Sequence, residues 1–330
     1  MKKTAGNKVV WSAADYASNS VVQQTWAREL IAKLKLRGDE RILDVGCGDG
    51  KVTAEIARAV PRGLAVGVDA SPQMIEFATN AFELPNLNFR VVDAREIKPD
   101  AFVPLSPEHH LIRRRSEAMA GQAPALTPLG RGEGNGSVFA LFDVIFSNAA
   151  LHWVDDHQAF LRGAASVLKP GGRLVVSCGG KGNAHDVFLA LRPEMRLKRW
   201  REFFRKMEAS YFFHSPEEYK KWLPRFGFKT RSIKLAPKDA TYKSRDGLAA
   251  WLRTTWLPYT QRVPDAVREE FINAGVVVFC LEKRYLAARI RLDVERLKAL
   301  WPEADVDLVK EHLAAIERIC DGDPAGGVGE

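Results

Sequence analysis

The chain has 330 residues, 46% of them hydrophobic and 27% charged, and a formal net charge of +8. That length supports one large core, or a core with a smaller cap. Cys47, Cys178, Cys280 and Cys320 are widely spread with no C-x-x-C pair, so neither a disulfide framework nor a metal site is expected, and no apolar run approaches a membrane span.

The start, Met1 to Lys8, is basic but lacks the apolar stretch of a signal peptide, so a cytoplasmic location is expected. The positive charge would suit acidic ligands or nucleic acid. No basic stripe interleaved with aromatics appears, so a solvated basic surface is the plainer reading and nucleic acid is not expected as a partner. Trp11 and Tyr16 precede a helix-like segment, Val21 to Leu34. One reading makes them a hydrophobic plug against the core.

Ile42 to Val45 is a short apolar run that ends in Gly46-Cys47-Gly48-Asp49-Gly50 and opens into a helical spacing from Val52 to Arg58. Strand, glycine turn and helix start leave bare backbone amides that favour an anionic or polar ligand. A dinucleotide fingerprint would need its third glycine at position 51, which is Lys51, and this disfavours an NAD(P)-linked oxidoreductase. Cys47 reads as a small structural residue in the turn. Leu64 to Asp69 is a second buried-strand run, ending in an acid suited to the hydroxyls of a ribose. Ser71 then caps a helix with Pro72 at its first position. Asn88 to Asp93 is a third strand ending in an acid. Alternating strand and helix imply a parallel sheet with helices on both faces, and a ligand beyond the carboxyl ends of the strands.

The alternation fails between Pro99 and Leu141, a stretch rich in Pro and Gly that carries Arg113-Arg114-Arg115. A disordered insertion at about 99–141 is expected, with a substrate lid as the alternative. Phe142 to Asn148 is the fourth strand. Asp155 is expected to start a helix running to Leu168, and Gly171-Gly172 to turn into the fifth strand, ending at Ser177. Further on, Arg192 to Tyr211 is basic and amphipathic, and Pro216 opens a helix. Phe228 to Leu235 alternates and reads as a sixth strand. Ser244 to Trp256, Pro264 to Ala274, Arg284 to Leu300 and Val306 to Ile319 read as helices. The tail 321–330 is Gly-rich and expected to fray.

The ordered series Asp44-Val45-Gly46-Cys47-Gly48-Asp49-Gly50, Gly67-Val68-Asp69-Ala70-Ser71-Pro72-Gln73-Met74, the acid Asp93, and Ile145-Phe146-Ser147-Asn148-Ala149-Ala150-Leu151-His152-Trp153 resembles class I S-adenosylmethionine-dependent methyltransferases, and within them enzymes like trans-aconitate methyltransferase. The resemblance implies an α/β fold: a Rossmann-like, doubly wound, mostly parallel seven-stranded sheet with a helical cap. It divides the chain into an N-terminal lid segment (1–40), a cofactor-binding core (41–180), remaining strands and cap (181–320) and a tail. The family's seventh strand is in doubt, since Val276 to Leu281 is the only comparable run.

The resemblance places S-adenosylmethionine against Asp44, Gly46, Cys47, Gly48, Gly50, Asp69, Ala70, Met74, Asp93, Ala94, Ser147 and Asn148. It makes Trp11 and Tyr16 a lid, and puts Trp153, Arg253, Trp256 and Tyr259 near a small-molecule acceptor. Core packing is the bland alternative for the aromatics. His152 is the candidate for orienting or deprotonating the acceptor; its bland reading is a hydrogen bond to backbone. A carboxylate acceptor, ionised at neutral pH, needs no base, whereas a phenol or amine would use His152. An RNA methyltransferase and a catalytically silent, cofactor-binding partner subunit are alternatives. Oligomeric state stays open.

Overall fold

The computed structural model describes residues 21–102, 142–205, 207, 209–238, 251–268, 278–280, 285–287 and 294–320. Trp11, Tyr16, residues 103–141 of the expected insertion, the helix ends at 244–250 and 269–274 and the tail 321–330 lie outside them. The chain divides into two compact units, one drawn from 1–185 and 207–244, the other from 186–206 and 245–330. The first unit thus takes back a segment beyond residue 180.

In the first unit, α1 (Val21–Leu34) leads into β1 (Arg41–Val45), α2 (Lys51–Ala59), β2 (Leu64–Asp69), α3 (Pro72–Ala81) and β3 (Leu87–Val91). After the insertion come β4 (Phe142–Asn148), α4 (His157–Val167) and β5 (Leu168–Ser177). The sheet order is β3-β2-β1-β4-β5, with every pairing parallel. The central strands are continuous apolar runs because helices cover both faces. Alternate residues of β1 serve opposite cores. Leu43 and Val45 pack with Val66, Ile145, Phe160 and Leu161, while Ile42 packs with Ala54, Ile56, Val144 and Phe146. Burying each such side chain contributes about 1.5–3 kcal/mol. The order reverses between β1 and β4, so the carboxyl end of β1 is the switch point where α/β sheets take ligands.

Several local expectations need correction. Among the described residues the parallel sheet has five strands, not seven. Phe228 to Leu235 forms no strand. Its alternation puts Phe228 with Thr230, Ser232 and Lys234, and Ile233 with Lys229 and Arg231, so neither face is apolar enough to bury. Val278–Cys280 (β6) pairs antiparallel with Tyr285–Ala287 (β7) in a separate two-stranded sheet of the second unit. A four-residue connection makes that local pairing entropically cheaper than joining a distant sheet. It also takes Tyr285–Ala287 out of the helix expected from Arg284 to Leu300, of which the described helical part is Val294–Leu300. Pro99–Phe102 is a 3-10 turn of the core, with buried Phe102 edge-on to Phe142 at 5.1 Å, so the insertion starts later than Pro99. Asp156, not Asp155, caps α4: its Oδ1 accepts from Ala159 N–H at 2.8 Å, the spacing a cap requires. The basic segment from Arg192 begins in the end of the helix His185–Arg196 and continues through a short helix, Arg201–Phe204.

The second unit holds helical residues 251–255, Leu257–Thr260, Val294–Leu300 and Val306–Cys320 besides the hairpin. Trp256 and Tyr259 are buried in it, with ring centroids 5.1 and 5.9 Å from Phe188. Arg253 lies on helical residues 251–255, half-buried.

Candidate functional site

β1 runs out at Val45, and the glycine turn folds back over β2: the N–H groups of Gly46 and Cys47 both donate to Val68 O, at 2.8 and 3.0 Å. Gly46, Gly48 and Gly50 have φ of 73, 54 and 80°, a region L side chains avoid. At Gly46 there is also no room, since a Cβ would lie 2.2 Å from the Cβ of Ala150.

Two carboxylates flank this turn. Asp44 is buried and accepts from Thr53 Oγ1 at 2.7 Å. Burial pushes it up to about 7, the Thr53 hydroxyl works against this, and the charge of Asp69 adds to it. Asp69 closes β2. Its Oδ2 accepts from Gly48 N–H at 3.0 Å and its Oδ1 from Ser71 N–H at 2.9 Å. Burial raises its pKa, and these backbone donors oppose the rise. One carboxylate therefore fixes both the glycine turn and the start of α3. Ser71 caps α3 through Met74 N–H, which buries Met74, while Ala70 is exposed.

Asp93 caps the 3-10 turn Ala94–Glu96. Arg95 grips it with Nη2–Oδ2 at 2.6 Å and Nε–Oδ1 at 3.0 Å, and reaches Asp155 with Nη1 at 2.8 Å. The guanidinium holds Asp93 below the usual carboxylate range.

β4 delivers the remaining residues. Ser147 is buried and donates to Val45 O at 2.8 Å, which ties β4 to the end of β1 and turns its hydroxyl inward. Asn148 donates from Nδ2 to Gln23 O at 3.0 Å. Its Oδ1 and Gln23 Oε1 are buried acceptors without a hydrogen-bond partner. Both residues line a cleft with Gln24, Asp44, residues 46–49, Lys51 and Val52. α1 is held there through Glu55, which accepts from Gln24 Nε2 at 2.5 Å and Arg28 Nη2 at 2.7 Å.

Ala149 takes a positive φ of 55° and donates to Ser177 O, and the chain then turns through Leu151–Trp153. His152 Nδ1 accepts from Gly179 N–H at 3.3 Å, so a neutral imidazole carries its proton on Nε2. Its backbone carbonyl accepts from Phe212 N–H at 2.9 Å. Trp153, Tyr211 and Phe213 surround the ring at centroid distances of 5.6, 6.3 and 6.0 Å. Burial, with a smaller effect from His157, pushes His152 down to about 4.

The structure thus gathers Asp44, Gly46, Cys47, Gly48 and Asn148 on one cleft, with Asp69 bonded to the same turn. Ser147 faces the strand interior, and Trp256 and Tyr259 belong to the packing of the second unit. Sequence reasoning passed over Gln23, Arg95, Tyr211 and Phe213. The run Tyr211-Phe212-Phe213-His214 carried an aromatic signal, whereas nothing local marked Gln23. No group of three or more potential ligands for a metal occurs among the described residues, and none of their helices is long and apolar enough to cross a membrane.

The cleft suits S-adenosylmethionine chemically. Two orphaned acceptors would suit an ammonium group, bare glycine backbone admits close approach, and the nearby carboxylates would offset a sulfonium charge. A family model described as a methyltransferase domain matches residues 19–233, and a second, of a protein of unknown function, matches 260–330. An uncharacterized methyltransferase of Schizosaccharomyces pombe is 27% identical over 82% of this chain and 90% of its own length. The trans-aconitate 2-methyltransferase of Deinococcus radiodurans is 26% identical over 80% of this chain and 88% of its own. A solved putative methyltransferase from Bacillus halodurans has a TM-score of 0.42 and 17% identity, covering 80% of this chain and 94% of that one. With the family model spanning well over half its length, this chain belongs to the methyltransferase domain family and is an S-adenosylmethionine-dependent methyltransferase of the class I, Rossmann-like fold.

Proposed function

We propose that the enzyme esterifies a small carboxylate. The observation that carries this reading is the state of His152. Its Nδ1 is taken by Gly179 N–H, and burial depresses its basicity to about 4. Such an imidazole is a poor base for a phenol or an ammonium, but its Nε2–H is a ready donor to an acceptor oxygen. A carboxylate arrives already ionised at neutral pH and needs only to be held. Likeness to a relative named for trans-aconitate supports the same class.

When bound, S-adenosylmethionine supplies an electrophilic methyl group on a charged sulfur. In our reading the chain's own residues do the rest. Asp69, its orientation fixed by Gly48 and Ser71, keeps lone pairs for the ribose hydroxyls. Gln23 Oε1 and Asn148 Oδ1 take the ammonium. Met74 and Ala94 flank the adenine and Asp93 lies at its edge. Trp153, Tyr211 and Phe213 exclude water around His152.

The test uses labelled S-adenosylmethionine with trans-aconitate and other small di- and tricarboxylates. Turnover should be nearly flat from about pH 6 to 8. His152→Ala should raise the acceptor KM roughly 10-fold, the scale for one hydrogen bond to a charged group, and leave kcat within a few-fold. A steep basic limb together with near-complete loss of kcat in a folded His152→Ala protein would instead establish base-assisted methylation of a phenol or amine.

A further inference from the structure

Behind the turn that carries His152 lies a second histidine with no part in the chemistry above. His157, at the start of α4, is buried, and both of its ring nitrogens are engaged. Nε2 lies 2.8 Å from Leu151 O, and Nδ1 lies 2.5 Å from Tyr219 Oη. A carbonyl only accepts, so the proton sits on Nε2, and Nδ1 must then accept from the Tyr219 hydroxyl. The donors therefore run in one direction, from Tyr219 to His157 to the Leu151 carbonyl. Leu151 opens the turn Leu151–Trp153, one residue before His152.

Tyr219 is itself held firmly. It lies on the helix Pro216–Trp222, whose start is closed by a full capping box between Ser215 and Glu218. The same segment reaches the turn a second time through Phe212 N–H to His152 O. His214, whose Nδ1 lies 2.9 Å from Glu218 Oε1, and Trp222 close the ring around His157, at centroid distances of 4.5 and 6.4 Å. The loop after β5 contributes Gly179 N–H to His152 Nδ1. Two segments distant in sequence, the loop at Gly179 and residues 212–222, thus converge with the start of α4 on one turn.

We infer that Tyr219 and His157 are positioning residues: Tyr219 holds the His157 ring through Nδ1, and His157 pins the Leu151 carbonyl so that His152 presents Nε2–H to the acceptor. This rests on the reading of His152 as the acceptor's donor. The relay explains why a buried polar chain persists in an otherwise apolar core, because removing one link leaves the next unpaired.

The test is long-range 1H–15N correlation of the histidine side chains in the full chain at pH 7.5, with kinetics on trans-aconitate and calorimetry with S-adenosylmethionine. Wild type should show both His152 and His157 protonated on Nε2. Tyr219→Phe, which deletes one oxygen, should shift the His157 Nδ1 signal and disturb that of His152. It should lower kcat about 10-fold, the scale of a small misplacement, with cofactor affinity unchanged. His157→Gln keeps a donor for Leu151 O and should stay within about 3-fold of wild type, whereas His157→Leu should not. Unchanged His152 signals in folded Tyr219→Phe and His157→Leu would overturn the relay. So would a uniform loss in all variants, His157→Gln included, that tracks cofactor affinity. If wild type methylates no carboxylate, the acceptor reading fails, while the His152 signals still decide the relay.

Discussion

The glycine-turn end and the His152 end of the first unit, which we propose hold the cofactor and the acceptor respectively, are built from different materials. Around the glycine turn the working groups are backbone N–H groups and two carboxylates, supplied by residues 44–50 and by Asp69, and linked to each other directly through Gly48 N–H. Around His152 they are uncharged rings and carbonyls, drawn from residues 151–153, 179 and 211–219. The first end manages charge with rigid dipoles and can be written in one short stretch of chain. The second orients a neutral donor and needs three separated segments to agree. A fault in the first should therefore appear in cofactor binding and stability, and a fault in the second in acceptor KM and kcat.

The largest expected effect is Gly46→Ala. Its φ of 73° costs an L residue about 1–2 kcal/mol, and overlap with Ala150 adds about 1–3 kcal/mol. Thermal denaturation should show the combined loss, and calorimetry should show cofactor binding gone. Because Ala150 precedes the His152 turn, this substitution is also the severest check on the separation of the two ends. Intact binding with lost turnover would show that strain passes mainly to the acceptor side.

Asp44→Asn should act in the opposite direction on stability. The folded pKa of Asp44 is raised to about 7, above the ordinary carboxylate value, so its favourable contribution is complete only below pH of about 4 and is lost as pH rises through 7. Asparagine keeps an acceptor for Thr53 and carries no charge to bury. The ligand-free variant should match wild type near pH 4.5 and exceed it at pH 8 by on the order of 3 kcal/mol in denaturant titration. Cofactor affinity should fall at pH 8, because the sulfonium loses a carboxylate neighbour. A variant less stable than wild type at pH 8 would mean that Asp44 is ionised at no cost, and that the cofactor end holds its charge by some other means.

Asp69→Ala should weaken cofactor binding by roughly 1–3 kcal/mol, the scale for hydrogen bonds to a charged group. Since Asp69 also holds Gly48 and Ser71, a drop in melting temperature of the ligand-free protein should accompany it. Unchanged affinity in a folded variant would remove Asp69 from the site.

The contrast between the two ends also explains what was legible in the sequence. Positions 41–93 could be read almost residue by residue, because strand, glycine turn and Ser71 cap are local devices whose spacing fixes their geometry. Ser147 and Asn148 lie at the end of β4, where the strand was expected, but the Ser147 hydroxyl is a tie to Val45 rather than a lining group. The acceptor end was far less legible. His152 could be named, yet its low basicity arises from burial among Trp153, Tyr211 and Phe213, and two of those lie about sixty residues away. Gln23 joins the cleft only because α1 is docked through Glu55. Phe228 to Leu235 alternates, but neither of its faces is apolar enough to bury, so the alternation does not mark a strand.

The smallest expected effect tests the join between the ends. Arg95 spans Asp93, beyond β3, and Asp155, beyond the His152 turn. Arg95 and Asp155 are exposed, at 45 and 53%, and Asp93 is half-buried, at 25%. Exposed pairs of this kind contribute about 0–1 kcal/mol, and salt screens them. Arg95→Ala should therefore change stability by less than about 1 kcal/mol, a difference that shrinks further as salt is raised. Its informative consequence is on binding. Without the guanidinium, Asp93 has both oxygens released, apart from the N–H of residue 95. If Asp93 meets the adenine edge, cofactor affinity should shift by a few-fold while acceptor KM stays constant, confining the effect to the cofactor end. Equal shifts in cofactor affinity and acceptor KM would show that Arg95 couples the loop at Asp155 to the cofactor side, and the two ends would then have to be treated as one.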